Sequence, residues 1–351
     1  MAGWKRHLIR TGLDAIYLTG SHHALRCAFA GVGVVLTLHR VRPALPEAFQ
    51  PNRLLEITPE FLAAAIQRLR AADIDFVSLD EVHRRLVEKD FRRRFVALTI
   101  DDGFRDIAEF AYPILRRFEV PFAVFVAADF AEGTAGMWWV TLENVVAAAS
   151  SITVEIEGTQ TVLACSSTAS KCRAFNTLYW WLRTLDEAAL RRAVCDLAGR
   201  HGVACAGVAG RLCLNWSELV ELARDPLCTI GAHTLSHPRL RQMPATDARE
   251  EMARSLAAVA DRLGRRTDYF AYPVGDATSA GPREFAIAAE LGIKAAFTTR
   301  PGVLFPEHRQ HLMALPRVSI NGEFQALRYL DVLVSGVPFA LWNNFRRVDA
   351  A

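Results

Sequence analysis

Residues 95–103 read Phe-Val-Ala-Leu-Thr-Ile-Asp-Asp-Gly, and this stretch decides the fold. Its first six residues form a nearly unbroken apolar run, which predicts a strand covered on both faces, as in a parallel sheet. Asp101, Asp102 and Gly103 mark the point where the strand ends and a helix begins. In parallel α/β folds ligands bind at that edge of the sheet, so the stretch predicts a site as well as a scaffold.

Strands and helices alternate on both sides of this stretch. Predicted strands occupy residues 32–38, 75–79, 95–100, 120–127, 227–232, 269–272, 293–298 and 315–320. One helix is predicted to begin after the N-cap Thr58, and others occupy residues 80–88, 104–118, 247–263 and 282–291, with a kink at Pro113. About seven strand–helix units favour a parallel (β/α) barrel over an open sheet.

The alternation is interrupted between about residues 130 and 215, which predicts a mostly helical insertion. A helix over 137–149, a small hairpin around Gly158 and helical sequence over 169–202 make up this part. Tyr179, Trp180 and Trp181 are predicted to form its core, and the alternative is that exposed tryptophans there stack on sugars. The predicted domains are an N-terminal helical extension (1–30), the barrel with its insertion (31–321) and a C-terminal helical tail (322–351).

Composition narrows the class of protein. Hydrophobic residues make up 51% and charged residues 23% of the 351 residues, which excludes a disordered chain. Because 41 basic residues face 38 acidic ones, the net charge of +3 gives no case for nucleic acid as the main partner. Seven scattered cysteines without a CxxC motif exclude a zinc ribbon and are predicted to be reduced, buried thiols.

The N-terminal region is predicted to be neither a signal peptide nor a membrane span. The basic residues 1–10 are separated from the apolar residues 28–38 by polar ones, and no small-residue cleavage site follows. The apolar run is also shorter than the about 20 residues that cross a bilayer. We therefore expect a cytoplasmic protein without a transmembrane segment.

Two histidines and one aspartate are candidate metal ligands. His233 and His237 follow the strand predicted at 227–232, and imidazoles four residues apart can reach one ion. Asp102 also follows a strand, and the adjacent carboxylate of Asp101 repels it unless a cation or proton shares the site. Two imidazoles and one carboxylate suit Zn²⁺, with Co²⁺, Ni²⁺ and Mn²⁺ as alternatives. Chance pairing of the histidines and an Asp-Gly turn with Asp102 as helix cap remain the alternatives.

A third strand ends at Tyr272, Pro273, Val274 and Gly275. Proline and glycine predict a bent backbone there, in which an N–H can face a developing oxyanion. The alternative is a tight strand-to-helix loop without a catalytic role.

Together these residues resemble the polysaccharide deacetylases, the NodB-homology or carbohydrate esterase family 4. Residues 99–103 resemble the family's first motif (T-F-D-D-G), and residues 233–237 resemble its second (H-S/T-x-x-H). The resemblance covers roughly residues 35–130 and 213–321 and implies a distorted barrel of about seven strands. It implies that Asp102, His233 and His237 bind one divalent ion and that Asp101 is the catalytic base.

The chain departs from the family at two places. The family's third motif carries an Arg and a Tyr where this chain has Ala271 and Val274, so we predict that Arg317 steadies Asp101 instead. The usual Leu-x-His that supplies the general acid is not evident, and His39 is the predicted replacement. The alternative is that His39 is a core histidine with a purely structural role. His308 and His311 are weaker candidates in a predicted surface loop.

The resulting hypothesis is a metal-dependent hydrolase that removes N-acetyl groups from an amino-sugar polymer such as a chitooligosaccharide. A non-catalytic carbohydrate-binding or assembly protein and a hydrolase of non-sugar amides are the alternatives. The chain lacks a GxGxxG fingerprint, a P-loop and a G-x-S-x-G elbow, which argues against dinucleotide-binding, phosphate-loop and serine-hydrolase functions.

Overall fold

Seven parallel strands close a barrel in the computed structural model, which describes residues 3–350. The strands of the described chain are β1 (Gly33–Leu38), β2 (Arg40–Val41), β3 (Glu56–Ile57), β4 (Asp75–Phe76), β5 (Phe95–Asp101), β6 (Phe122–Val126), β7 (Ser151–Ile156), β8 (Thr159–Ala164), β9 (Cys228–Ala232), β10 (Tyr269–Ala271), β11 (Ala295–Pro301) and β12 (Leu315–Ser319). Met1, Ala2 and Ala351, which fall in the predicted terminal segments, lie outside the described residues.

Sixteen α-helices accompany these strands over residues 3–350. They are α1 (Gly3–Leu18), α2 (Ser21–Ala24), α3 (Arg26–Phe29), α4 (Pro59–Ala71), α5 (Leu79–Glu88), α6 (Tyr112–Arg117), α7 (Ala128–Ala131), α8 (Trp138–Ala148), α9 (Thr168–Leu182), α10 (Glu187–Arg200), α11 (Val208–Leu212), α12 (Trp216–Leu222), α13 (Ala245–Leu263), α14 (Pro282–Glu290), α15 (Leu327–Val334) and α16 (Val337–Trp342). None of the helices described is both long and apolar enough to cross a membrane.

The barrel closes through β1, which pairs with β12 on one side and with β5 on the other. The strand order is β1-β12-β11-β10-β9-β6-β5, and all these pairings are parallel. Every residue of β5 is buried, as expected for a strand with the barrel interior on one face and helices on the other. The predicted seven-stranded (β/α) barrel is therefore confirmed.

Two element boundaries differ from prediction for local reasons. The strand predicted over 75–79 ends at Phe76, because the Ser78 side chain accepts a hydrogen bond from the Glu81 amide and caps α5. The segment predicted as one kinked helix over 104–118 is a π-helical turn (Ile107–Ala111) followed by α6. Helical structure continues from residue 106 through this π-helical turn into α6, so Pro113 lies within one helical segment directly after a change in its hydrogen-bond pattern. The kink at Pro113 stays a prediction.

The insertion has a hydrophobic core of its own. Helices α8, α9 and α10 pack around the antiparallel hairpin β7–β8, whose strands pair from Ser151–Ala164 to Ile156–Thr159. The helical sequence predicted over 169–202 is two helices, because the Asp186 side chain accepts from the Ala189 amide at 2.7 Å and begins α10. This cap turns the chain at residues 183–186, and that turn lies beside the candidate site described below.

One disulfide corrects the prediction that all cysteines are reduced and buried. Cys195 of α10 is bonded to Cys205, with their Cα atoms 5.3 Å apart. The chain reaches this position because Gly202 adopts a left-handed conformation after α10 and folds the chain back along the helix. Cysteine spacing carries no signal for such a turn. Among the free cysteines, Cys27 is exposed, whereas Cys165, Cys213 and Cys228 are buried.

The terminal helices pack against each other at one side of the barrel. Leu13 of α1 is buried against Tyr329 and Val332 of α15. Asp14 accepts a hydrogen bond from Arg328 at 2.9 Å. These contacts hold the predicted N-terminal extension against the predicted C-terminal tail.

Candidate metal centre and catalytic site

Three predicted ligands meet at the carboxyl ends of β5 and β9. Asp102 directly follows β5, and His233 directly follows β9. One ligand atom each from Asp102, His233 and His237 lies within 4.8 Å of the others. The parallel register of the barrel brings these strand ends together, so residues 131 positions apart in the chain become neighbours.

The backbone separates the two adjacent aspartates. Asp101 is the last residue of β5, whereas Asp102 has a φ of 70° and Gly103 a φ of 67°. Left-handed backbone conformation is unfavourable for a non-glycine residue and is found where the surrounding structure enforces it, often at functional sites. As a result Asp102 lies with the histidines, and Asp101 lies with Arg317.

Hydrogen bonds orient the first histidine. His233 Nδ1 lies 2.7 Å from the Ala271 carbonyl oxygen. Because a carbonyl can only accept, Nδ1 carries the hydrogen and Nε2 keeps a free lone pair. That Nε2 is 3.6 Å from Asp102 Oδ1. This is the arrangement in which a ligating imidazole is oriented by a partner on its other nitrogen.

The loop from His233 to His237 is held by a side chain that sequence reasoning missed. Glu251 of α13 accepts hydrogen bonds from the Leu235 amide at 3.0 Å, the Ser236 amide at 3.1 Å and the Ser236 hydroxyl at 2.9 Å. Thr234 Oγ1 also accepts from the His237 amide at 3.0 Å, closing a tight turn. Glu251 carries no motif, and only the packing of α13 on the barrel reveals its role.

The second histidine is enclosed by aromatic rings. The His237 ring stacks on Phe130 with centroids 5.6 Å apart and lies 5.1 Å from the Trp139 ring. Its Nε2 is 3.3 Å from Asp102 Oδ1. Burial, followed by the neighbouring His233, holds the pKa of His237 well below its ordinary value. The imidazole is therefore neutral, which is the form that ligates a metal.

Several features of this cluster fit a divalent cation. Within residues 3–350, Asp102 Oδ1 is a buried atom without a hydrogen-bond partner. Burial and the charge of Asp101 raise the pKa of Asp102 well above its ordinary value, so an ionised Asp102 needs a compensating charge. A cation between the carboxylate and the two neutral imidazoles supplies that charge and satisfies the orphaned oxygen.

Arg317 contacts Asp101, as predicted. Its Nη1 and Nη2 donate to Asp101 Oδ1 and Oδ2, each at 2.7 Å, and its Nε donates to the Thr298 carbonyl oxygen at 2.8 Å. Burial raises the pKa of Asp101, but the Arg317 guanidinium, with His233 and His39, outweighs burial and leaves that pKa below its ordinary value. Asp101 is therefore an ionised carboxylate held in a fixed orientation beside the metal ligands.

His39 lies at the end of β1, next to this carboxylate. Burial, followed by the positive charge of Arg317, lowers the pKa of His39 to about 4, although Asp101 opposes the shift. The imidazole is thus neutral at pH 7, and its role as general acid stays a prediction. The weaker candidate His308 is buried in a 3₁₀ turn, where its Nδ1 accepts from the Phe305 amide at 2.9 Å, so it is part of that turn.

Of the three residues predicted at the oxyanion position, Tyr272 is already engaged elsewhere. Its amide donates to the Phe297 carbonyl oxygen at 3.0 Å, and its buried hydroxyl donates to the Met313 carbonyl oxygen at 2.9 Å. Pro273 has no N–H to offer. Val274 has a φ of 61°, and no hydrogen bond of its amide is found among residues 3–350. Of the three residues, Val274 is therefore the one whose amide is free to donate a hydrogen bond, and its role toward an oxyanion stays a prediction.

The bend at this position requires the glycine that follows. Gly275 has a φ of 67°, and a Cβ atom there would lie 2.7 Å from the Thr299 amide nitrogen. A side chain at position 275 would therefore displace the loop that carries the Val274 amide.

Comparison with known proteins gives the same family as the motifs. The model of the polysaccharide deacetylase family matches residues 181–296, which include His233 and His237 but not Asp101 and Asp102. No curated protein sequence matches the chain. These findings, with the structural similarities that follow, confirm the predicted resemblance to this family.

Solved structures share the fold at low sequence identity. The deacetylase PplD of Streptococcus pyogenes, solved with acetate, is 20% identical, with a TM-score of 0.56, over 86% of this chain and 97% of that one. IcaB from Ammonifex degensii is 20% identical, with a TM-score of 0.53, over 87% and 96%. A de-N-acetylase from Aggregatibacter actinomycetemcomitans is 14% identical, with a TM-score of 0.53, over 86% and 99%. The chain therefore has the fold of the polysaccharide deacetylases.

Proposed function

We propose that the protein is a metal-dependent N-deacetylase of carbohydrates built from N-acetylated amino sugars. The observation that carries the proposal is the pairing of two groups at one edge of the barrel. An ionised, Arg317-bound Asp101 lies directly beside a three-ligand centre formed by Asp102, His233 and His237. A protein that only binds sugars has no need of a base next to a metal centre.

A divalent ion held by Asp102, His233 and His237 would supply Lewis acidity toward the acetyl carbonyl and toward an attacking water. We propose Zn²⁺ first, because two imidazoles and one carboxylate with an open position are typical of catalytic zinc. The same donors also accept Co²⁺, Ni²⁺ or Mn²⁺.

Asp101 is the proposed general base. Its two oxygens are held by Arg317, yet each keeps a second lone pair with which it can take a proton from water. The hydrogen bonds fix the direction of those lone pairs and keep the carboxylate ionised. The Val274 amide is the proposed donor to the oxygen that becomes negative when water adds to the acetyl carbonyl.

The leaving amine must gain the proton that water loses. Because His39 is neutral at pH 7, it holds no proton to spare before the reaction begins. The proton taken by Asp101 therefore passes to the amine either directly or through His39. The products are an acetate ion and the amino sugar in its ammonium form, which holds both protons of the water.

Acetate release from N-acetylglucosamine oligomers and polymers tests the proposal. The purified protein is assayed in three states: as isolated, after removal of metal by a chelator, and after metal is restored. We expect the protein as isolated to release acetate, the chelated protein to release none, and acetate release to recover when metal is restored. No release from any acetylated sugar with metal supplied would instead favour a carbohydrate-binding protein that keeps the fold without turnover.

A further inference from the structure

One tryptophan of the insertion is exposed, contrary to the prediction that residues 179–181 form the core. Tyr179 and Trp181 pack partly into that core, but Trp180 of α9 is 49% exposed. Trp180 and Trp342 are exposed tryptophans of the described chain, and Trp342 lies on the C-terminal helix α16. A large apolar ring facing solvent is unfavourable in water, so its position relative to the active site matters.

Arg183 connects Trp180 to the loop that carries the Val274 amide. The Arg183 guanidinium carbon lies 5.5 Å from the centroid of the Trp180 ring. Its Nη2 donates to Asp276 Oδ2 at 3.2 Å, and Asp276 is two residues beyond Val274. Asp276 is itself fixed, since Oδ1 accepts from the Thr278 amide at 3.0 Å and from two hydroxyl groups. Trp180 thus lies at the rim of the catalytic site.

The turn between α9 and α10 is also hydrogen-bonded to the loop from His233 to His237 and its continuation to Arg239, here called the metal loop. Arg239, two residues after His237, donates to Glu187 Oε1 at 2.8 Å and to the Leu185 carbonyl oxygen at 2.8 Å. Arg191 of α10 donates to the Ser236 carbonyl oxygen. These bonds fix the rim relative to the metal ligands, so the exposed ring has a defined place beside the site.

A series of aromatic rings runs from the metal centre to this rim. The successive centroid distances are 5.1 Å from His237 to Trp139, 5.9 Å to Trp138, 5.1 Å to Tyr179 and 5.3 Å to Trp180. Trp180 is therefore separated from the metal centre by the rings of Trp139, Trp138 and Tyr179. A ligand that contacts both Trp180 and the metal centre has to extend past these rings.

We propose that Trp180 and Arg183 form a sugar-binding subsite, here called the rim subsite, for units of a polymer next to the unit being deacetylated. The exposed indole face offers apolar surface to the C–H face of a pyranose ring. The neighbouring Arg183 and Asp276 offer a hydrogen-bond donor and acceptor to hydroxyl groups. The proposal rests on the proposed deacetylase function and adds that the preferred substrate is an oligomer or polymer.

Steady-state kinetics of Trp180→Ala on two substrates test the rim subsite. One substrate is the N-acetylglucosamine hexamer, and the other is 4-nitrophenyl acetate, an activated ester without a sugar. We expect KM for the hexamer to rise about three- to tenfold, because one aromatic contact with the sugar is lost. The kcat for the hexamer and the rate of ester hydrolysis should stay unchanged. Trp180→Tyr keeps an aromatic face and should restore most of the affinity. Trp342→Ala is the matched control, since Trp342 is 62% exposed and lies on α16, which packs against α1, α3 and α15.

The outcomes separate this proposal from the proposed function. If the parent hydrolyses the hexamer and Trp180→Ala has the parent's KM, the rim subsite is wrong and the deacetylase stands. If the parent releases no acetate, the deacetylase itself is wrong. If Trp180→Ala does not fold, oxidative footprinting of the Asp101→Asn variant replaces the kinetic test. The bound hexamer should protect Trp180 from oxidation and leave Trp342 reactive. Equal reactivity of Trp180 with and without the hexamer would refute the subsite.

Discussion

The two neighbouring carboxylates Asp101 and Asp102 have different proposed roles because their surroundings differ. Successive side chains of a strand point to opposite faces, and the left-handed backbone at Asp102 then turns the chain out of β5. Asp101 meets a guanidinium, which lowers its pKa, whereas Asp102 meets two neutral imidazoles and has a raised pKa until a cation is present. One residue is thereby kept ready to accept a proton and the other to bind a metal.

Asp101→Asn tests the base assignment. The amide keeps the shape of the side chain but removes the basic lone pair, so acetate release should fall about 10²–10⁴-fold. Metal content, measured by elemental analysis of the same sample, should remain close to that of the parent. Equal acetate release from variant and parent would rule out Asp101 as the base.

Acetate release by His39→Ala, compared with that by Asp101→Asn, shows which path the proton takes from Asp101 to the leaving amine. If Asp101 delivers the proton directly to the amine, the His39 variant keeps most of the activity. If the imidazole relays the proton, the variant loses activity to a similar degree as Asp101→Asn.

Arg317→Met tests how the base is kept ionised. Without the guanidinium, burial raises the pKa of Asp101, so a higher pH is needed to keep the carboxylate ionised. The acidic limb of the pH–rate profile should therefore move to higher pH, while bound metal is unchanged. Arg300→Met is the control, because Arg300 is a buried arginine of β11 that pairs with Asp349 and not with Asp101. A parent-like pH profile for Arg317→Met would contradict the assignment.

Among the elements, α13 holds the metal loop in place. Three hydrogen bonds from residues 235 and 236 end on Glu251, so the direction of both histidines depends on a helix that supplies no ligand. Partners of this kind orient ligands without touching the metal.

Glu251→Ala should weaken metal binding about 10–100-fold, measured by competition with a chromogenic chelator. Glu250→Ala on the same helix is the matched control, since Glu250 is exposed and pairs with Arg254 four residues later. Both variants should keep the parent's circular dichroism spectrum. Equal metal affinity in Glu251→Ala and the parent would show that the loop holds its shape unaided.

The elements also show which features the sequence can predict. The barrel strands and the ligands at their ends were predictable, because apolar runs and strand-end polar residues are local patterns. The π-helical turn before α6, the break before α10 and the Cys195–Cys205 bond depend on local turns and caps that compete with the regular helical pattern. Glu251 and the exposed Trp180 become visible only once helices pack on the barrel.

At the scale of the whole molecule, the disulfide allows a test of the predicted cytoplasmic location. Structural disulfides persist in oxidising compartments and are rare where thiols are kept reduced. Alkylation of thiols in freshly lysed cells, followed by mass spectrometry, reports the state of Cys195 and Cys205. Alkylated residues support a cytoplasmic protein, and a bonded pair contradicts that location. The exposed Cys27 should be alkylated in either case.

The molecule joins the barrel, which carries the proposed metal ligands and the proposed base, to an insertion that forms the proposed rim. Arg239, Arg191 and Arg183 link the two parts beside the site. Because the proposed ligands come from two chain segments that are far apart in the sequence, metal bound there would favour the folded over the unfolded state.

Titration of the metal-free protein with Zn²⁺ tests whether acetate release depends on one metal ion bound by Asp102, His233 and His237. The metal is first removed with a chelator, and the protein concentration is kept well above the dissociation constant for the metal. Acetate release from the N-acetylglucosamine hexamer is then measured as Zn²⁺ is added. We predict a linear rise that stops at one ion per chain in the parent, and no rise over the same range in His233→Ala. Full activity without metal, or the parent's titration curve in His233→Ala, would contradict this prediction.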